Sequence, residues 1–141
     1  MPLFTMSDLP MAGETSLTAL LRGMKPLLND GEYVFCQVPD ATLLKDEEVL
    51  GSFREQEGLT AILERGRADA LGLEYGYVAA WITLTVHSAL EAVGLTAAFA
   101  AALGNAGISC NVVAAYYHDH IFVGVQDAAK AMEVLHQLSQ G

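Results

Sequence analysis

One segment constrains this chain more than any other: residues 81–125, WITLTVHSALEAVGLTAAFAAALGNAGISCNVVAAYYHDHIFVGV. It opens with an alternating run that puts Ile82, Leu84 and Val86 on one face of a strand and Trp81, Thr83 and Thr85 on the other. A short polar turn ending in Gly94 follows. Alanine then dominates a helix over 95–103, a composition that favours helix and close packing, and Gly104 and Gly107 punctuate its end. The pattern next predicts a strand over 111–117, a tight turn at His118-Asp119 and a returning strand over 120–126. Asp127 can cap a last helix, 128–138, whose Ala131, Leu135 and Leu138 form a core face that Met132 widens.

The upstream half reads as a diverged copy. Leu17, Leu20, Leu21 and Met24 are spaced as one apolar helical stripe over 16–24, with Thr15 or Ser16 as cap. Pro26 disfavours continuation, and Asn29-Asp30-Gly31 is turn chemistry. A strand over 32–38 ends at Pro39-Asp40. Residues 41–48 form a polar connection, 49–54 a strand, and 59–64 fit strand or helix equally. A short helix over 66–71 stops at Gly72, 74–78 is a loop between halves, and 2–6 reads as a short edge strand. Leu17-Thr18-Ala19 matches Leu95-Thr96-Ala97, and at the same offset 33–38 falls on 111–116. Residues 67–71 match 128–132 at a shorter offset, which leaves an insertion at about 41–57. The expected organisation is therefore two units, 1–76 and 77–141, each in the strand–helix–strand–strand–helix order of a ferredoxin-like fold. The fold class is α+β, with antiparallel sheet and helices on one face. After Gln126 no strand remains, so a unit must borrow an edge strand or leave an edge open, and open edges invite pairing. The units are expected to join edge to edge, within the chain or between two chains.

Composition narrows function mainly by exclusion. Hydrophobic residues make up 52% and charged residues 17%, which supports a packed core rather than disorder. A net charge of -10 with no Lys/Arg cluster repels phosphate backbones, so nucleic acid is not an expected partner. The N-terminus lacks the basic and apolar regions of a signal peptide, and no apolar run approaches the roughly 20 residues of a membrane helix. A cytoplasmic location without membrane association is expected. Cys36 and Cys110 form no CxxC pair and read as reduced thiols packed in or beside strands. No GxSxG, P-loop or Rossmann glycine pattern occurs, so neither nucleophilic catalysis nor a cofactor has sequence support.

The strand TLTVH, the turn SALEAVGLT, the alanine-rich helix, the run AGISCNVVAAYYHDHIFV and the final helix together resemble an ACT domain. The chain is similar in particular to small bacterial proteins built from two tandem ACT-like units, related to the regulatory ACT pair of aspartate kinases. The resemblance is strongest over 82–138, weaker over 14–38 and weakest over the insertion. It implies a non-enzymatic protein that binds an amino acid or similar effector at a junction between units, and that assembles side by side as a homodimer. Many ACT units carry an acidic residue just before the turn glycine; here Ala92-Val93 precedes Gly94 and Glu91 stands further back.

The turn 87–95 is the leading candidate site. A helix start presents backbone amides suited to a carboxylate, and a glycine permits close approach. Ser88 can donate a hydroxyl and Glu91 can pair with an ammonium group, while Val93, Gly94 and Leu95 supply backbone. Asn111 and Val112, at the start of the second strand, are where a neighbouring unit meets such a turn in ACT pairs. The structural alternative is that Ser88 and Gly94 only shape a strand-to-helix connection. Residues 13–16 form the equivalent first-half turn. His118-Asp119-His120 has the donor chemistry of a zinc or iron site, but it falls where a hairpin turns, so no metal is expected. Two other functions compete: a ligand-free interaction module using open sheet edges, and a metal-dependent enzyme at His118-Asp119-His120.

Overall fold

The computed structural model describes residues 16–86 and 94–140. The elements are α1 (Leu17–Gly23), β1 (Pro26–Leu28), β2 (Tyr33–Val38), β3 (Val49–Glu55), β4 (Gly58–Glu64), α2 (Arg65–Ala70), β5 (Val78–Leu84), α3 (Leu95–Asn105), β6 (Asn111–Ala114), β7 (Asp119–Gly124) and α4 (Ala128–Gln140). The edge strand expected over 2–6 lies outside the described residues. Ser16 caps α1, its Oγ accepting from the Ala19 amide at 3.5 Å. The ambiguous run at 59–64 is a strand, joined to β3 by a two-residue turn at Gln56-Glu57. Instead of capping α4 directly, Asp127 closes a 3-10 turn, Val125–Asp127, that precedes it.

All strands join one antiparallel sheet, in the order β3-β4-β2-β5-β7-β6, with β1 also on β5. The junction between units is thus made within the chain. Residues 82–84 of β5 pair with β1 and also with β7, and a strand has only two edges. β1 therefore shares with β2 the edge of β5 opposite β7. Proline opens β1, the place in a strand where a missing N–H is tolerated.

The sheet order corrects how the repeat is paired. Four strands run β2, β3, β4, β5 in one unit and β5, β6, β7, β1 in the other, and each set has the same spatial arrangement. β2 pairs with β4 over six rungs, Tyr33↔Glu64 to Val38↔Leu59. β5 pairs with β7 over six corresponding rungs, Ala79↔Gly124 to Leu84↔Asp119. α2 follows β4 as α4 follows β7. The matches at 17–19 and 33–38 had aligned α1 with α3 and central β2 with edge strand β6; in space β2 corresponds to β5. The supposed insertion is the edge strand β3 and the short 3-10 turns that stand where α3 stands in the other unit. β5 serves both units, closing one and opening the other, and β1 is the borrowed strand.

The helices cover one face. Leu20 of α1 and Met24 just after it, Phe99 and Leu103 of α3, and Ala131 and Leu135 of α4 bury Ile82 and Leu84 of β5 and Ile121 and Val123 of β7. Each such Leu, Ile or Phe contributes about 1.5–3 kcal/mol by burial. Ala68 of α2 sits over Val34, Cys36, Ala61 and Leu63 in a smaller cluster. Although α1 belongs to the first half of the sequence, it packs in the core of the second. The other face is helix-free yet largely buried along its centre, where Tyr33 meets Trp81 edge to face at 5.4 Å and Phe35 meets Phe122 at 5.3 Å.

Candidate functional site

Ser88, Glu91 and Val93 lie outside the described residues, whereas Gly94, Leu95, Asn111 and Val112 are within them. Gly94 caps α3 with φ 105, a left-handed conformation that favours glycine. A Cβ there would lie 3.4 Å from Leu17 Cδ2, so α1 already rests against the turn glycine. Leu95 is buried in the core and presents only its backbone to any ligand. Asn111 and Val112 are exposed on the edge strand β6, and Asn111 Nδ2 donates to the Phe122 carbonyl at 3.4 Å. Asn111 pairs with Phe122, three rungs from the Ala114–Asp119 rung beside the end of β5. That is about 10 Å along the strand. Asn111 also shares the helix-free face with Phe122 and Trp81, whereas Gly94 belongs to the helical layer. Within one chain these two predicted site residues are not brought together.

The expected turn at His118-Asp119 is displaced. The chain reverses over Ala115–His118, with the Ala115 amide donating to the His118 carbonyl at 3.0 Å. Tyr116 and Tyr117, which read as strand residues, form the exposed tip, and Asp119 is the first residue of β7. Asp119 is only 8% exposed. Burial pushes its carboxyl pKa up, while His120 and His118 pull it down. His118 Nδ1 lies 3.5 Å from the Val86 carbonyl.

His120 has a different set of partners. Its Nδ1 accepts from Trp81 Nε1 at 3.0 Å and lies 3.1 Å from Thr83 Oγ1. Thr83 Oγ1 accepts from Asn29 Nδ2 at 3.0 Å, and Asn29 also binds the Trp81 carbonyl through its side chain and its own amide. An indole N–H can only donate. Nδ1 must therefore offer its lone pair, which makes the ring neutral and places its proton on Nε2. Burial, and then the charge of His118, hold the His120 pKa below its ordinary value, with Asp119 acting in the opposite sense. Among the described residues no group of three or more His, Cys, Asp or Glu is placed to hold a metal ion. Both cysteines are free, and burial pushes both thiols up, away from the reactive thiolate.

A hollow of about 160 Å³ opens on the helix-free face. Gly51 and Ile62 line it from one unit, and Trp81, Val113, His120 and Phe122 from the other. Gly51 is on β3 and Val113 on β6, the two ends of the sheet order. In a flat sheet these strands would lie about 24 Å apart, five spacings of about 4.8 Å. One small hollow touching both requires the sheet to curl until its ends face each other. Sequence reasoning missed this hollow; its one local signal is Gly51, a glycine inside a strand pattern, which marks close approach or vacant space.

Two split βαβ units fused through one strand, with helices on a single face, make a tandem ferredoxin-like module. The ACT-domain family matches residues 12–80 and again residues 77–137, and the chain belongs to that family. It is 49% identical to a protein of unknown function from Vibrio cholerae, described as a possible transport protein, over 89% of this chain and 97% of that one, with TM-score 0.78. It shares its fold with a protein from Agrobacterium tumefaciens at 18% identity, over 82% and 89% of the two chains, TM-score 0.62. The fold also matches the ligand-free regulatory subunit of aspartate kinase from Thermus thermophilus at 10% identity, over 80% of this chain and 95% of that one, TM-score 0.60. No curated protein matches the chain. The architecture is thus that of two ACT domains in tandem. Among the described residues no helix is long and apolar enough to cross a membrane.

Proposed function

We propose that this protein is a non-catalytic regulator that binds a small molecule, an amino acid first among candidates, at the turn between β5 and α3. Ser88 and Glu91 would meet the two poles of the zwitterion, and Val93, Gly94 and Leu95 would supply backbone groups. Asn111 and Val112 would complete the site from a second copy in a cytoplasmic homodimer, since Asn111 lies on the face of the sheet opposite the layer that holds its own Gly94. Units at 1–76 and 77–141 belong to the same reading. The observation that carries it is the position of β5, which leads into this turn and pairs with both units. Support also comes from family membership. A regulatory output needs different affinity for two states, and a strand shared by both units is where an ordered turn can act on their packing. Calorimetric titration against the twenty amino acids, with thermal shift in parallel, tests this. One or a few saturable heats are expected; uniformly silent heats with no shift would reject it.

A second reading, association through sheet edges without a ligand, draws on a separate observation. Phe53 on edge strand β3 is 72% exposed, and Tyr116 and Tyr117 beside edge strand β6 are 74% and 67% exposed. It expects a concentration-dependent sedimentation coefficient that no amino acid alters.

A further inference from the structure

We infer that the hollow on the helix-free face is a second ligand site, separate from the Gly94 turn, for a neutral ring-sized apolar group bearing one hydrogen-bond acceptor. Size comes first. The hollow measures about 160 Å³, and an apolar cavity of about 150 Å³ is enough to admit benzene. Its wall carries no ionisable side chain other than His120. A charged ligand would lose hydration there without an opposite charge to meet it.

Polarity is supplied at one point. The Trp81 indole N–H is consumed by His120 Nδ1, and that same bond fixes the imidazole proton on Nε2. The Nε2–H is the remaining donor of a residue that lines the hollow, and among the described residues no hydrogen bond engages it. Thr83 and Asn29 hold the ring from behind, so the donor is oriented before a ligand arrives. A carbonyl or hydroxyl oxygen on the ligand satisfies it, and a plain hydrocarbon does not.

Space is supplied by Gly51. Its φ lies outside the left-handed region, so its backbone does not require glycine, and a Cβ there would meet only Ile62 Cδ1, at 3.8 Å. The absent side chain is therefore room, not a conformational device. The register shift between Val49 and Gly51 brings Leu50 to the same wall, as bulges commonly re-aim side chains.

The test uses three probes of similar size: acetophenone, with ring and carbonyl; ethylbenzene, with no acceptor; and benzoate, with a charge. Trp81 is the single tryptophan, so its indole N–H gives one assignable proton–nitrogen resonance in the full chain. Acetophenone is expected to shift that resonance saturably and to bind at least tenfold tighter than ethylbenzene, with benzoate weakest. Gly51→Leu, and independently Val113→Phe from the opposite wall, should abolish saturation while the melting temperature shows each variant folded. Equal affinity for acetophenone and ethylbenzene, tightest binding by benzoate, or binding that survives both filled variants would overturn the assignment. Amino-acid heats in the same variants report on the Gly94 turn, so the two sites fail or stand independently.

Discussion

Acidification is expected to unlock the Trp81–His120 pair, and the cost can be estimated from the structure. His120 Nδ1 accepts from Trp81 Nε1 and lies beside Thr83 Oγ1. Protonation turns that nitrogen into a donor facing the indole N–H. The lost bond is worth about 0.5–1.5 kcal/mol, and leaving a buried donor unmet costs about 1–3 kcal/mol. His120 is only half-buried, so water relieves part of this, and about 1 kcal/mol is a reasonable expectation. For a chain of this size that corresponds to about 3–5 °C in melting temperature.

The sign follows from linkage. Burial depresses the folded-state pKa of His120 below its ordinary value, so between the two values the unfolded chain binds more protons. The stabilisation is present above the ordinary histidine value of about 6.5 and is lost as pH falls through the depressed one. His120→Gln isolates the effect, because its amide oxygen still accepts from Trp81 but does not titrate. Melting curves of both proteins from pH 8 to pH 5 should diverge, the wild type losing about 1 kcal/mol more than the variant. His118 and Asp119, whose charges act most directly on His120, are retained in both proteins. Parallel loss in the two proteins, or a wild type that gains on acidification, would refute the argument.

Leu135→Ala removes a side chain with no exposed surface in the main core, and urea denaturation should show a loss of about 2–5 kcal/mol. Gly94→Ala forces a Cβ into a left-handed conformation against Leu17, and should cost about 1–2 kcal/mol in the same assay. Asp119→Asn is expected to stabilise the protein at pH 7 by about 1 kcal/mol, because the fold disfavours the ionised carboxylate. The raised folded pKa means that Asp119 favours the fold below its ordinary value and loses that contribution as pH rises through the raised one, so the variant's advantage should shrink as melts are repeated toward pH 4. Fragments 1–76 and 77–141 made separately should each lack a cooperative thermal transition, since the first loses β5 from β2 and the second loses α1 and β1 from its core.

Local pattern made most elements legible, and long-range pairing decided what it could not. The spacing of Leu17, Leu20, Leu21 and Met24 dictates α1, and alternation at 82–86 announces β5, because both depend on neighbours in sequence. β1 was invisible: Pro26 reads as a helix stop, and a three-residue strand has no periodicity of its own. The tip of this hairpin lies two residues before the expected His118-Asp119, since Tyr116 and Tyr117 have strand chemistry whether they pair or lie exposed at a tip. The Leu-Thr-Ala match aligned α1 with α3, whereas equivalence in a sheet depends on which strand lies beside which. The hollow is hidden for the same reason, being lined by residues from Leu50 to Phe122 that lie on strands far apart in sequence. Gly94, in contrast, was singled out by local chemistry, and its left-handed conformation at the start of α3 is what a strand-to-helix turn demands.

The sharing of β5 explains why the cores do not follow the sequence order. A unit of this fold needs a fourth strand beside its first, and in the second unit that place beside β5 is taken by a strand from upstream in the chain. β1 fills the vacancy, and the helix just before it is carried across as well, so Leu20 and Met24 bury themselves among α3 and α4. That placement brings Leu17 against Gly94. Gly94, at the start of α3, is thereby contacted by a helix from the other half of the chain. β1 grips β5 through three rungs, whereas β7 grips it through six. A force applied at Gly94 meets a short, proline-led strand on one side and a full ladder on the other. β5 itself reaches the other unit, through its two rungs with β2 at Tyr33↔Ala79 and Val34↔Val78, and β1 reaches it through the short chain that runs on into β2.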